Sequence, residues 1–298
     1  MKKSVSLLLA GLMLCGALAG CGGNDSADAN NAVEGGDAAA SGTSGAITVI
    51  SREDGSGTRS AFVELTGVED DNGDNTTVDA EIANKTDVVL TSVAGNESSI
   101  GYVSLGSLND TVKAVKVDGV EATTDNVKSG DYKLSRPFNI ATKGEPTGVA
   151  KDFINFIMSA EGQAIVEEEG YITVNDAAEA FTTDGSEGQI AVGGSSSVSP
   201  VMEKLIEAYQ AVNPKAKIEL QTSDSTSGMT GAIDGTFAIG MASRELKDEE
   251  KAELTGTSIA LDGIAVVVNP NNTVEDLTMD QIKSIYIGET TDWADVAA

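Results

Sequence analysis

The nine residues Ser51-Arg52-Glu53-Asp54-Gly55-Ser56-Gly57-Thr58-Arg59 constrain this chain more than any other stretch. An apolar, β-prone run, Ile47-Thr48-Val49-Ile50, enters the segment, and Ser60-Ala61-Phe62-Val63-Glu64-Leu65 leaves it with helical spacing. The pattern is a strand, a Gly/Ser turn, and a helix whose first turn begins between Gly55 and Thr58. Glycines let successive N–H groups turn toward one point, and a helix N-terminus leaves its first donors unpaired. With the Ser56 and Thr58 hydroxyls and the Arg52 guanidinium, the segment is a candidate socket for a small tetraoxyanion. An ordinary strand-to-helix turn capped by Ser and Thr uses the same residues. The nine residues alone leave both readings open.

The rest of the chain alternates strands with helices. Thr86–Leu90 and Ile100–Leu105 read as strands about a Gly95-Asn96 turn, and Val112–Val117 alternates before Asp118-Gly119 turns it into a hairpin. Leu134–Lys143 reads as extended, crossing between domains. Val149, Phe153, Phe156 and Ile157 share one buried helix face. Residues 182–188 are a turn-rich linker, followed by a strand at Ile190–Val192. Ser199 is expected to cap a helix with Pro200 at its first position and Val201, Leu205 and Tyr209 inward. Lys217–Leu220 is another strand, and Ser223–Gly228 opens a helix around Met229–Ile233. Ile259–Val268 is long and almost wholly apolar, as in a strand buried on both faces. Thr278-x-x-Gln281 is a capping box. The class is α/β. The acidic Glu69–Asp79 segment lacks the ligand order and closing Glu of a calcium loop and reads as a solvated loop.

At its start, Met1-Lys2-Lys3 and the apolar Leu7–Leu14 resemble a signal peptide (1–20), too short to span a bilayer. Leu18-Ala19-Gly20-Cys21 resembles a lipoprotein cleavage box, so Cys21 is the expected lipidation site. Residues 21–46 are small, polar and acidic, the composition of a flexible tether. A net charge of −28 argues against nucleic acid and anionic lipid surfaces as partners. It does not argue against a buried anion site, because screening over about 8–10 Å leaves such a site governed by its own donors. The chain has no histidine. That excludes a Ser-His-Asp triad and imidazole metal ligands, and no metal or cofactor is expected.

The R-x-D-G-S-G-T run at Arg52–Thr58 resembles the anion-binding signature of the periplasmic phosphate-binding proteins of ABC importers, the PstS family. Gly193-Gly194-Ser195-Ser196-Ser197-Val198-Ser199-Pro200 is similar to that family's opening segment. Ile239–Leu246 and Leu261–Asn269 are similar to later landmarks. The resemblance implies a two-lobed periplasmic-binding-protein-like fold of type 2, with 47–133 plus 263–298 as one lobe and 134–262 as the other. The segments come in a circularly permuted order, with the usual opening segment after the R-x-D-G-S-G-T run; a fragment of a longer tandem or a mis-called gene is the competing reading.

By position, the resemblance implies phosphate contacts from Arg52, Ser56, Gly57, Thr58, Ser196, Ser197, Ser225 or its neighbour Thr226, and Ser243, with Asp54 orienting Arg52. Several members place an aspartate where Ser243 stands, which accepts the proton of monohydrogen phosphate, so selectivity over sulfate is left open. The implied protein is no enzyme but an extracytoplasmic, lipid-anchored, monomeric carrier. It captures inorganic phosphate for an ABC permease and touches the membrane through its lipid alone. The alternatives are a sulfate-like ligand and a phosphate-sensing surface lipoprotein without transport; a secreted phosphatase is the enzymatic competitor. Cys21→Ala is expected to release the protein from membranes or leave it misprocessed in cell fractionation. Unchanged membrane association of that variant would defeat the lipoprotein assignment.

Overall fold

The computed structural model describes residues 43–296. The signal-peptide and Cys21 readings, and the tether up to residue 42, lie outside those residues. In chain order the elements are β1 (Thr48–Arg52), α1 (Gly57–Thr66), the two-residue strands β2 (Glu69–Asp70) and β3 (Gly73–Asp74), β4 (Glu81–Ala83), α2 (Thr86–Gly95) and β5 (Ser99–Ser104). Next come β6 (Lys113–Ala114), β7 (Lys116–Val117), α3 (Thr124–Ser129), β8 (Ser135–Thr142), α4 (Gly148–Ile157) and α5 (Ala160–Glu168). Then follow β9 (Gly188–Ser195), α6 (Ser199–Val212), β10 (Ala216–Ser223), α7 (Ser225–Asp234), β11 (Ile239–Ala242), α8 (Asp248–Glu253), β12 (Thr255–Val268), β13 (Asp276–Leu277) and α9 (Met279–Tyr286).

A mixed nine-stranded sheet runs β10-β9-β11-β8-β12-β5-β1-β4, with β6 also on β12. The β9/β10, β9/β11, β1/β5 and β1/β4 pairs are parallel; β8 and β12 make the antiparallel centre. β12 is long enough to serve two neighbours. Its first part pairs with β8 from Thr255↔Thr142 to Gly263↔Ser135, and Ile264–Val268 pairs with β5. The apolar cores part at this crossing. Phe62, Tyr102, Leu134, Ile264 and Tyr286 belong to one core, with Ile50, Val89 and Val267 on the opposite sheet face. Phe138, Phe153, Leu205, Tyr209 and Ala260 belong to the other, with Met229 and Ala242 across the sheet. Phe62 stacks on Tyr102 at 4.0 Å with Tyr286 edge-on at 4.7 Å, a geometry aromatic quadrupoles favour.

Several local readings change. Thr86–Leu90 is the start of helix α2, not a strand. Its β-branched residues suggest extension, but Val89, Leu90 and Val93 bury one face at helical spacing. Val112–Val117 forms no regular hairpin: β6 pairs with β12, β7 pairs with β13, and only a Val117↔Val120 bridge closes the Asp118-Gly119 turn. Both turn residues take positive φ, 51° and 78°. Ser199 is the first helical residue of α6 rather than its cap; its hydroxyl donates back to Ser195 O and Pro200 occupies the second position. Residues 43–46, read as the tether's end, are bound into the fold: Thr43 N donates to Thr273 Oγ1 and Ala46 bridges Asp292. The capping box at Thr278–Gln281 is present in both directions.

The 182–188 connection is fastened by a buried carboxylate on α4. Asp152 is 1% exposed and accepts from Thr183 Oγ1 at 2.7 Å, Tyr209 OH at 2.8 Å and Asp184 N at 3.0 Å. Removing it strands the buried Tyr209 hydroxyl, at about 1–3 kcal/mol, and unfastens the part-buried Thr183 and Asp184 donors. Asp152→Ala is therefore expected to lower unfolding stability by about 2–4 kcal/mol in urea titration. A change below about 0.5 kcal/mol would show that solvent reaches these donors.

Candidate functional site

The C-terminal ends of β1, β9 and β11 meet at one place, where the N-termini of α1, α2, α6 and α7 also point. Ser56 caps α1, its Oγ accepting from Arg59 N at 3.3 Å, and Asp224 caps α7, accepting from Ser227 N at 2.8 Å. Helix N-termini bring unpaired N–H groups and the positive end of the macrodipole, so four of them together favour an anion.

The side chains at this junction are mostly small hydroxyls. Thr58 Oγ1 meets Ser197 Oγ at 2.8 Å, and Thr86 Oγ1 lies 3.3 Å from both Ser196 Oγ and Ser197 Oγ. Ser195 Oγ donates to Ser243 Oγ at 2.9 Å, and Ser243 N donates to Ser225 Oγ at 3.1 Å. Arg52 is 2% exposed; its Nη2 donates to Ser196 Oγ at 3.1 Å and Nη1 to Thr86 Oγ1 at 3.4 Å. Thr226 N donates to Gly55 O at 3.2 Å, joining α7 to the Gly/Ser turn. These bonds link residues 52–58 and 86, from one core's side, to residues 196, 197 and 226 from the other's.

The structure brings together Arg52, Ser56, Gly57, Thr58, Ser196, Ser197, Ser225, Thr226 and Ser243. It does not place Asp54 on Arg52. Asp54 is 98% exposed and pairs with Arg59 Nη1 at 2.8 Å. Glu53 holds the Arg52 fork instead, its two oxygens accepting from Nε and Nη2 at 2.8 Å each. Arg59 braces the turn: it donates to Arg52 O and Asp54 through Nη1 and to Asp74 through Nε. Asp74 sits below the usual carboxylate range: burial pushes it up, but Thr76 and Arg59 outweigh that. The acidic loop thus supplies a brace.

Thr86, Ser195, Glu53 and a second buried pair, Arg244–Glu250, escape the sequence reading. Thr86 was obscured by reading its segment as a strand. Arg244 Nη1 and Nη2 meet the two Glu250 oxygens at 2.8 and 2.7 Å. Burial alone pushes the Glu250 carboxyl up, but Arg244 and the Lys247 N–H hold it below the usual range. Behind Arg52, Tyr102 OH accepts from Arg52 N at 3.2 Å and shares a hydrogen bond with Ser51 Oγ at 2.8 Å. Burial pushes its phenol up to about 12, so it stays neutral at ordinary pH. A surface groove of about 690 Å³ beside Gly67, Lys283 and Glu289 lies at the far end of α1 and has no part in this cluster.

Glycines set how closely the elements approach. A Cβ on Gly57 would lie 2.3 Å from Ser225 Oγ and 2.9 Å from Ser243 Oγ. One on Gly228 would lie 2.7 Å from Gly194 Cα, so α7 rests directly on the β9 backbone.

Residues 24–161 and 179–298 match the PBP superfamily domain. The phosphate-binding protein PstS 2 of Streptococcus agalactiae is 50% identical over 303 residues, covering 99% of this chain and 98% of that one. Its namesake in Streptococcus pneumoniae is 43% identical over 98% of both chains. The crystal structure of a phosphate ABC transporter, phosphate-binding protein from S. pneumoniae TIGR4 superposes with a TM-score of 0.69 at 44% identity, over 85% of this chain and 100% of that one. Alanine suits the first turn of a helix, yet Gly57→Ala is expected to weaken tetraoxyanion binding by about tenfold or more in calorimetry. Binding equal to wild type would mean that the two sides need not meet at Gly57.

Proposed function

Because the chain belongs to the PBP superfamily, and within it to the PstS phosphate-binding proteins, we propose that it captures inorganic phosphate between two lobes and delivers it to the permease of an ABC importer. The observation that carries this reading is the Arg52 guanidinium, buried and braced by Glu53, among hydroxyls that come from both sides of the junction. A tetraoxyanion presents acceptors in every direction, which this set of donors matches. The lobes are 47–133 plus 263–298, and 134–262; the parting of the cores between Leu134 and Phe138, and between Ala260 and Ile264, supports that division. Closure on the ligand would draw the lobes together about β8 and β12.

The protein works outside the cytoplasmic membrane as a monomer, held by a lipid on Cys21. Among the described residues no helix is long and apolar enough to cross a membrane, which suits attachment by lipid. The order of segments is a circular permutation of the phosphate-binding fold. Adjacent ends support this: Ile47 N donates to Thr291 O at 2.8 Å and Trp293 N to Gly45 O at 3.0 Å.

A second reading, a socket that also takes sulfate, is favoured by the commitments of the nearby carboxylates. Glu53 and Glu250 are engaged by arginines and Asp224 by the α7 N-terminus, which leaves hydroxyls as acceptors for the proton of monohydrogen phosphate.

Thermal shift with and without phosphate tests the assignment, because a ligand that binds only the native state raises the midpoint. Arg52→Lys keeps the charge but loses the fork and is expected to weaken binding; Arg52→Ala is expected to cost about tenfold to a hundredfold or beyond. The ligand-free midpoint should change little, since Glu53 retains access to water at 22% exposure. An Arg52→Ala protein with the full phosphate-induced shift would remove the socket at residues 52–58 from the function.

A further inference from the structure

Arg244 is 4% exposed, and its hydrogen bonds leave one donor over. Nη1 donates to Glu250 Oε2 at 2.8 Å and to Glu245 O at 2.9 Å; Nη2 donates to Glu250 Oε1 at 2.7 Å and to Thr226 Oγ1 at 3.4 Å. Nε is buried and has no acceptor among the described residues. Arg52 shows the complementary arrangement, in which Nε is committed to Glu53 and the outer nitrogens face the hydroxyls.

Position makes the unused donor informative. Arg244 follows Ser243, and its Cγ lies 3.1 Å from where a Cβ on Gly57 would stand, alongside the Ser225 and Ser243 hydroxyls. A purely structural pair that fastens α8 accounts for Nη1 and Nη2. It does not account for a buried N–H that has no acceptor among the described residues, on a side chain packed against the Gly57 turn. Buried donors are almost always paired, and an anion oxygen is the acceptor that this neighbourhood is suited to receive. We propose that Arg244 is a second guanidinium of the anion site, donating its Nε–H to the bound tetraoxyanion while Glu250 holds its fork from behind. The inference rests on the phosphate-binding reading and extends it. The socket then has one braced arginine from each side, and the ligand it suits best is a dianion.

The test is calorimetry with inorganic phosphate on the wild type, Arg52→Ala, Arg244→Lys, and the double variant Arg244→Leu with Glu250→Leu. Removing both partners leaves no buried unpaired charge, so the double variant is expected to melt near the wild type. Its phosphate affinity is expected to fall by about tenfold or more, and Arg244→Lys should fall comparably, because an ammonium drawn to Glu250 cannot reproduce Nε. Loss of a cationic donor should also flatten the rise in affinity as pH carries phosphate from monoanion to dianion, which an anchoring role for α8 would not do. Should the double variant not fold, the phosphate affinity of Arg244→Lys decides. Affinity within about twofold of wild type in the folded variants, with Arg52→Ala impaired, would overturn the role of Arg244 and leave the phosphate reading standing. No phosphate binding by the wild type would overturn both.

Discussion

The antiparallel pairing of β8 with β12 is the constraint on which the rest of the molecule depends. Both cores take strands from it, and the sheet on either side is aligned by its register. Within that ladder Arg136 stands opposite Asp262, and the two form an ion pair at 3.0 Å with side chains 2% and 0% exposed. Burial pushes the Asp262 carboxyl up while Arg136 pulls it the other way, and Ser104 Oγ from β5 donates to its other oxygen at 2.9 Å. Such a pair adds little net stability, since desolvation offsets most of its attraction. Its effect is on register. A slip of one residue turns Asp262 to the opposite face and leaves Arg136 charged and unpaired in the interior.

An acidic protein that holds an anion looks paradoxical only if charge is averaged over the whole surface. At the candidate site the positive groups are few, buried and braced: Arg52 by Glu53, Arg244 by Glu250. Each carboxylate reduces the charge of its arginine but fixes the direction of its N–H groups. The helix N-termini and Ser and Thr hydroxyls supply the remaining donors without adding net charge. Direction matters more than total charge at such a place, because screening removes the contribution of distant acidic residues.

Much of this arrangement was legible in the sequence, for identifiable reasons. A hydroxyl-rich glycine turn between a β-prone run and a helical run has few structural solutions, so β1, the Ser56 cap and α1 follow from local rules. The apolar periodicity of α4 and the length of β12 are equally direct. Partners were less legible than positions. Asp54 lies two residues from Arg52, but neighbours at that spacing on this turn point apart, and adjacent Glu53 reaches the fork. Thr86 was hidden because β-branched residues are tolerated in a helix whose buried face is packed by tertiary contacts. Arg244 was hidden because its significance depends on one atom left unbonded, which no spacing rule reports.

The backbone pairing of residues 45–47 with residues 291–293 has a mechanical consequence. Both ends of the described chain are stitched together beside the core that holds Phe62 and Trp293. A pull on residue 43 is therefore borne first by that core. On the two-lobed, lipid-anchored reading proposed above, the lobe built on that core is the fixed one and the other turns against it about the β8–β12 ladder. On that reading the arrangement separates the point of attachment from the part that moves.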